Sequence, residues 1–308
     1  MNRFGKVAVL MGGISAEREI SLLSGAAVLK GLQAQGVNAH GIDALPDNIG
    51  SLKAHGFDRA FIVLHGRWGE DGVVQGALQA IGMPYTGSGV LGCALAMDKV
   101  RSKQIWRTLG LPTAKYRVLH SEADLDGLVA KLGLPLFLKP AREGSSVGVG
   151  KVTSEKDLLD AYRVAAEVGD DVLAEQFIAG AELTVSIVND QALPVIRMRT
   201  DNEFYDYEAK YQSDDTQYFC PAGLDQSLEL RVRALAERAF RSLDCKDWGR
   251  VDVMLDENSE PLLLEVNTVP GMTDHSLVPM AANAVGMSFE QLVVAILELS
   301  LNRQGANA

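Results

Sequence analysis

The segment that most limits how this chain can fold is WGRVDVMLDENSEPLLLEVN, residues 248 to 267. Side chains alternate along a strand, so Arg250 and Asp252 share one face of the first apolar stretch, and Glu265 and Asn267 share one face of the second. In an antiparallel hairpin closed by the turn DENSE, one register pairs Arg250 with Asn267 and Asp252 with Glu265. The sequence therefore predicts a hairpin that gathers four polar side chains into one patch.

The residue types of this patch indicate its chemistry. Asp252, Glu265 and Asn267 offer only oxygen donors, which suit Mg²⁺ held jointly by protein and substrate phosphates. The planar fork of Arg250 can bind a phosphoryl or carboxylate oxygen. The alternative is an ordinary solvated hairpin face, which is plausible for any one of these residues but less so for all four among leucines and valines.

Length and composition exclude several classes of protein. The 308 residues correspond to two domains or a closely packed three, and 47% hydrophobic with 22% charged residues excludes a disordered or collagen-like chain. The net charge of -11 has the wrong sign for a nucleic-acid partner.

The cysteines and the apolar runs bear on the compartment. Cys93, Cys220 and Cys245 are odd in number and lack CxxC spacing, so neither a disulfide framework nor a zinc ribbon is indicated. No apolar run approaches the roughly 20 residues of a membrane span. We therefore expect a cytoplasmic protein with no membrane partner.

The N-terminal part alternates strands and helices. KVAVLM, Gly12-Gly13 and SAEREISLLSGAAVLKGL predict a buried strand, a turn and a helix with Ser15 as N-cap, and a second strand is predicted in AFIVL. Such alternation favours a parallel sheet, beyond whose carboxyl ends ligands gather. Glu17 and His65 would lie there.

The rest of the chain has the mixed short strand and helix patterns that are typical of α+β structure. We predict an α/β and α+β fold with an N-terminal doubly wound, Rossmann-like parallel-sheet domain over residues 1–95. A small central α+β domain over 96–183 and a C-terminal α+β domain over 184–308 would follow, with a polar loop over 201–216.

Two glycine-rich segments lead to different interpretations. GSGVLG, residues 87 to 92, matches GxGxxG but lacks the acidic residue expected about 20 positions later, which favours a structural turn. LKPAREGSSVGVGK, residues 138 to 151, can wrap a polyphosphate through its backbone N–H groups, or can equally be a flexible hairpin.

Taken together, the motifs resemble one family. MGGISAEREIS, LHGRWGEDG, PYTGSGVLGCALAMDK, LKPAREGSSVG, FYDYEAKY, GRVDVMLD and LLEVNTVPGMTDHSLVP are similar to the D-alanine:D-alanine ligases of the ATP-grasp superfamily, from about Lys6 to Leu301. The resemblance implies an ATP-grasp fold and ligation of two D-alanines through an acyl phosphate, for peptidoglycan precursors. It also implies a homodimer.

The resemblance further implies sets of residues for ATP and metal. Contacts to the ATP phosphates fall on Lys99, Lys139 and Ser146, and contacts to adenine and ribose on Glu175, Gln176, Phe177, Ile178 and Glu182. Two Mg²⁺ ions, with Mn²⁺ as a substitute, would be held by Asp252, Glu265 and Asn267. Gln176 departs from the family, where lysine is frequent, and Trp68 stands where Gly or Phe is frequent.

The amino acid substrates have implied contacts of their own. Glu17, with His65 nearby, would receive the first ammonium group, and Arg250 with the Gly271 N–H would stabilise developing oxyanions. Lys210, Ser276 and Leu277 would border the second D-alanine. Glu17, Ser145 and Tyr211 would form a hydrogen-bonded set that closes the polar loop.

Two other functions compete with this one. Another ATP-grasp ligase would use a different acid or amine. A nucleotide-regulated binding protein without turnover would require a missing catalytic group, and the sequence shows none.

Overall fold

The computed structural model describes residues 2–144, 147–169, 171–199 and 216–303. The described strands form three sheets, taken in turn from the N-terminal, middle and C-terminal parts of the chain. In the described part no single helix is long and apolar enough to cross a membrane. Leu277–Ala284 and Phe289–Arg303 pass that test only as a pair, bent by 105°.

The first sheet is parallel, with its first strand in the centre. Its strands, in the spatial order β2-β1-β3, are β1 (Val7–Met11), β2 (Ala39–Asp43) and β3 (Arg59–Ile62). The neighbouring helices are α1 (Arg18–Ala34), α2 (Val73–Ala80) and α3 (Val90–Met97). The predicted parallel arrangement is confirmed, although β2 was not predicted because its sequence AHGID carries a weak apolar signal.

The first turn and helix differ from the prediction in one detail. Helix α1 begins at Arg18 after Glu17, so Ser15 is not its N-cap. The Ser15 hydroxyl instead donates to the His65 carbonyl at 2.7 Å and accepts the Glu17 N–H at 3.2 Å. Gly25 lets α1 lie close on β1, because a Cβ there would come within 2.4 Å of the Met11 Cβ.

The middle sheet is antiparallel and lies within the predicted central region. Its order is β4-β7-β5-β6, with β4 (Tyr116–Leu119), β5 (Leu136–Pro140), β6 (Gly150–Val152) and β7 (Val172–Gln176). Helix α4 (Lys99–Thr108) precedes it, and α5 (Leu128–Leu132) and α6 (Leu158–Ala166) belong to the same region. The hydrophobic sides of α5 and α6 share a core with the buried leucines of β5.

The third sheet contains the predicted hairpin. It runs β11-β10-β8-β12-β13, with β8 (Glu182–Val188), β9 (Gln191–Ala192) beside it, β10 (Ile196–Arg199), β11 (Gln217–Phe219), β12 (Trp248–Leu255) and β13 (Pro261–Asn267). Helix α7 (Gln226–Ser242) covers one face, where Val232 and Phe240 pack on Val251 and Val253.

The last two helices return to the first sheet. Helices α8 (Leu277–Ala284) and α9 (Phe289–Leu299) place Val278, Val293 and Ile296 in the same core as Val9 and Phe61. The C-terminal part therefore holds the third sheet against the first. The domain boundaries given above remain predictions.

A buried arginine ties the N-terminal segment to the C-terminal one. Arg59 is 6% exposed; its Nε donates to the Phe4 carbonyl at 2.7 Å and its Nη1 to the Ser300 hydroxyl at 3.0 Å. Burial lowers the pKa of this guanidinium, opposed by the charge of Asp58.

Arg59→Met should therefore destabilise the protein, because it leaves a buried carbonyl and hydroxyl without their donor. We expect a loss of about 1 to 3 kcal/mol in the free energy of unfolding by urea. Arg238→Met, on the exposed face of α7, is the matched control and should change little. Equal stabilities of the two variants would contradict this role for Arg59.

Candidate active site

The hairpin of β12 and β13 brings the predicted polar patch together. Arg250 lies opposite Asn267 and Asp252 opposite Glu265, as the sequence predicted. The register then shifts between Asp252 and Val253 through a bulge that the sequence did not reveal. Because the shift follows Asp252, it leaves the polar pairs in place.

Asp252 is held by four hydrogen bonds from described residues. Its Oδ1 accepts from the Arg250 Nε at 2.9 Å and the Thr184 hydroxyl at 2.6 Å. Its Oδ2 accepts from the Arg250 Nη2 at 2.9 Å and the Asn267 Nδ2 at 3.1 Å. Thr184, which lies opposite Asp252 on β8, is buried and was missed by the sequence analysis.

Glu265 receives a cation from a different part of the chain. The Lys99 ammonium, in the first turn of α4, lies 3.2 Å from the Glu265 Oε2 and donates to the Glu143 carbonyl at 2.6 Å. The glycine-rich segment that begins near Glu143 is thereby joined to the hairpin.

The patch fits a hard divalent cation in the chemistry of its donors. Asp252 and Glu265 supply carboxylate oxygens from paired positions, and Asn267 supplies an amide oxygen. Among the described residues no three acidic, histidine or cysteine side chains cluster as a metal site.

Lys139, Glu175 and Lys103 form a second charged group, between the middle sheet and α4. The Lys139 ammonium lies 2.7 Å from the Glu175 Oε2, and the Lys103 ammonium contacts the Glu175 Oε1. Burial favours the neutral carboxyl, but the two ammonium groups lower the pKa of Glu175 to about 2. Lys103 is fully buried and was missed by the sequence analysis.

The other residues assigned to the nucleotide lie at or after the end of β7. Gln176 is the last residue of β7, and its N–H donates to the Lys115 carbonyl at 2.9 Å. Phe177 follows, with its ring 5.9 Å from that of Phe137. The chain passes Ile178 and enters β8 at Glu182. Burial lowers the pKa of Lys139, but the charge and hydrogen bond of Glu175, with smaller contributions from the charges of Glu265 and Glu182, raise it above the usual value.

A pocket of about 90 Å³ lies between the first sheet and the hairpin. The sequence analysis had assigned many of its lining residues to one site. These residues are Glu17, His65, Arg250, Glu265, Asn267, Gly271, Ser276 and Leu277.

His65 lines the pocket, and each of its two ring nitrogens makes a hydrogen bond. Burial lowers its pKa, opposed by the charge of Glu17, so the ring is neutral. Its Nδ1 lies 2.7 Å from the Val269 carbonyl and therefore carries the proton, while the Nε2 lies 3.4 Å from the Ser24 hydroxyl. Ser24 in turn accepts the Met272 N–H at 3.1 Å. His65 thus anchors the loop that contains Gly271.

Ser276 closes the same loop on the opposite side. Its hydroxyl accepts the Thr273 N–H at 2.8 Å and lies 2.9 Å from the Thr273 hydroxyl. A Cβ on Gly271 would come within 2.9 Å of the Ser276 Oγ, so a side chain at 271 would push against this hydroxyl. Leu277 follows as the first residue of α8 and is buried.

Glu70, in the HGRWGEDG motif, lines the pocket and was missed as a site residue. It accepts the Gly66 N–H at 2.7 Å and the Val269 N–H at 3.2 Å. Burial, reinforced by the negative charge of Glu17, raises the pKa of Glu70 to about 8. Its local motif was visible in the sequence, but its proximity to Glu17 was not.

Trp68, the departure in this motif, has φ 72° and is 8% exposed. A left-handed backbone is unusual for a bulky residue, which accounts for glycine at this position but not for phenylalanine. The indole packs against the Gly13 turn, where a Cβ would lie 3.7 Å from it.

Four predicted site residues, Ser145, Ser146, Lys210 and Tyr211, lie outside the described residues. So does most of the predicted polar loop.

Comparisons with known proteins agree with this geometry. A family model described as the D-ala D-ala ligase C-terminus matches residues 105–298, and the model of its N-terminus matches residues 43–88. The D-alanine–D-alanine ligase of Aromatoleum aromaticum is 56% identical over 96% of each chain.

The chain belongs to the D-alanine–D-alanine ligase family. Its fold is accordingly ATP-grasp, and it is an enzyme of this family of ATP-binding ligases.

Solved structures of family members agree. The ligase of Bacillus anthracis complexed with ATP has a TM-score of 0.85 at 33% identity, covering 97% of this chain and 98% of that one. The VanG D-Ala:D-Ser ligase of Enterococcus faecalis has a TM-score of 0.84 at 29% identity, covering 96% of this chain and 99% of that one. Ligases with different second substrates therefore share this fold.

The raised pKa of Glu70 makes the stability of this ligase depend on pH. The unfolded chain loses the Glu70 proton near pH 4.5, whereas the folded chain keeps it up to about pH 8. The free energy of unfolding should therefore fall between these values as pH rises. Glu70→Gln removes this loss, so urea unfolding should show the variant gaining on the wild type from pH 5 to pH 8. A constant difference across that range would contradict the shift.

Proposed function

We propose that the protein is an ATP-dependent ligase that joins two D-alanine molecules into D-alanyl-D-alanine, for peptidoglycan precursor synthesis. Family membership supports the reaction class. The observation that carries the proposal is the single pocket shared by Glu17, Arg250 and Glu265. It combines an anion for an ammonium group, a cation for an oxyanion, and a carboxylate at the hairpin patch.

The reaction answers a chemical difficulty. A carboxylate repels nucleophiles and has no good leaving group. A carboxylate oxygen of the first D-alanine therefore attacks the γ-phosphorus of ATP, the bond from that phosphorus to ADP breaks, and D-alanyl phosphate forms. The amine of the second D-alanine then attacks the acyl carbon of the D-alanyl phosphate. The tetrahedral intermediate expels phosphate and, after loss of an amine proton, gives the dipeptide.

The nucleotide is assigned to the charged groups around the middle sheet. Lys99, Lys139 and Ser146 contact the phosphates, and residues 175 to 178 with Glu182 contact adenine and ribose. The Lys139 ammonium is suited to this role because Glu175 raises its pKa against the effect of burial and keeps it protonated.

Asp252, Glu265 and Asn267 hold two Mg²⁺ ions, for which Mn²⁺ can substitute. Such ions, when bound with ATP, offset the charge that develops on the transferred phosphoryl group. Without ligand, Arg250 and Lys99 supply positive charge to these carboxylates.

The first D-alanine occupies the pocket beside the first sheet. Glu17 receives its ammonium group, and His65 holds the loop that brings the Gly271 N–H to the developing oxyanion. Arg250 is the second donor to that oxyanion. Donors fixed in advance stabilise the charge without having to reorganise as it forms.

The second D-alanine is bordered by Lys210, Ser276 and Leu277, where its carboxylate meets the lysine and the hydroxyl. Glu17, Ser145 and Tyr211 form the hydrogen-bonded set that closes the polar loop. Closure keeps water from the acyl phosphate.

The proposal also includes the state of the working enzyme. We expect a cytoplasmic homodimer without nucleic-acid or membrane partners. Val73 at the start of α2, and Val90 and Leu91 at the start of α3, are apolar residues that are 55%, 38% and 57% exposed, and we take them as the support for self-association. The charge of -11 argues against nucleic acid.

Measuring phosphate release from MgATP tests which amino acid the enzyme uses as its substrate. We expect release that depends on D-alanine, with far less activity on L-alanine, and D-alanyl-D-alanine as the product seen by mass spectrometry. Glu265→Gln is the control that ties activity to the hairpin, because it removes a charge from the more exposed carboxylate of the patch without changing side-chain volume. It should abolish release while leaving the protein folded.

D-serine and D-lactate, each offered together with D-alanine, decide the second substrate. A mixed product formed in preference to the D-alanine dipeptide would contradict the proposed amine acceptor. Release with L-alanine equal to that with D-alanine would contradict the whole substrate assignment.

A further inference from the structure

Lys103 is a fully buried charged residue with no role so far in the proposed function. Its side chain is 1% exposed, and its ammonium contacts the Glu175 Oε1, the Thr113 hydroxyl at 2.7 Å and the Leu263 carbonyl at 3.4 Å. The ammonium group therefore makes an ion pair with Glu175 and hydrogen bonds with two further oxygen atoms.

Burying an ammonium group is costly unless the group is paired with an opposite charge and hydrogen-bonded. Burial lowers the pKa of Lys103, and the charge of Glu175 opposes that change. Lys103 lies one helical turn after Lys99 in α4, so the two side chains share a face of the helix. One of them reaches Glu265 on β13 and the other reaches Glu175 on β7.

Lys103 changes the net charge of the group that it forms with Glu175 and Lys139. Lys139 is the member of its group nearest solvent, with its side chain 18% exposed against 3% for Glu175. Glu175 and Lys139 alone would form a neutral pair. With Lys103 on the other carboxylate oxygen, the group carries one net positive charge, and that charge is presented at the accessible end by Lys139.

We propose that Lys103 is a positioning residue that, by occupying one oxygen of Glu175, leaves the positive charge of Lys139 available to the phosphates of the nucleotide. Lys103 also fixes the position of this charged group relative to the hairpin. Its ammonium lies 3.4 Å from the carbonyl of Leu263, which is two residues before Glu265 on β13. The inference rests on the proposed function only in taking ATP as the nucleotide.

The test separates phosphate recognition from general damage by comparing two ligands. The dissociation constant of ATP is measured by calorimetry without D-alanine, and that of adenosine by competition. The dissociation constant of adenosine divided by that of ATP reports the contribution of the phosphates. Lys103→Met, which keeps length but removes charge, should lower this ratio by about tenfold.

A double variant distinguishes charge from packing. Lys103→Met with Glu175→Gln restores the net positive charge of the group, so the ratio should return toward the wild-type value. A packing role for Lys103 predicts instead that the double variant is no better than the single one. Thr113→Val, which keeps every charge, is the matched control and should leave the ratio within about twofold.

Three results would overturn the proposal. They are an unchanged ratio in Lys103→Met, equal weakening of ATP and adenosine, and a double variant with no recovery. If Lys103→Met does not fold, the double variant is compared directly with Glu175→Gln, and a ratio at least tenfold lower in the double variant contradicts the proposal. Because these measurements omit D-alanine, a wrong amino acid substrate would not alter them.

Discussion

The active site depends on how one buried carboxylate is held. Asp252 accepts four hydrogen bonds, from Arg250, Thr184 and Asn267, and these come from three adjacent strands. Such a carboxylate is stable when buried only because each oxygen is satisfied. The register of β8, β12 and β13 is thereby tied to the chemistry. A slip of one residue would turn these side chains to the opposite face.

The second organising feature is helix α4, which joins two sheets through charge. Lys99 reaches the hairpin at Glu265, and Lys103 reaches the middle sheet at Glu175. Helix α4 therefore connects the middle sheet to the hairpin through two ion pairs, which fix the position of one relative to the other. Under the proposed function these elements carry contacts to different parts of ATP, and fixing them before the ligand arrives would reduce the ordering cost of binding.

The sequence predicted the features that local patterns encode. The hairpin register followed from alternation and the turn, and Glu17 and His65 were placed together because parallel strands end at one edge. Lys103 and Glu70 were missed, since a charged residue becomes informative only when its distant partner is known. The N-cap prediction for Ser15 was wrong because a turn separates Ser15 from helix α1, which begins at Arg18 after Glu17.

The central claim is that the hairpin register builds the metal-binding part of the active site. The most direct test is a crystal structure of the protein with Mn²⁺ and a non-hydrolysable ATP analogue, in which anomalous scattering locates the metal. The account predicts manganese bonded to oxygens of Asp252, Glu265 and Asn267 and to the phosphates. Manganese bound to the phosphates with no bond to any of these three side chains would contradict it.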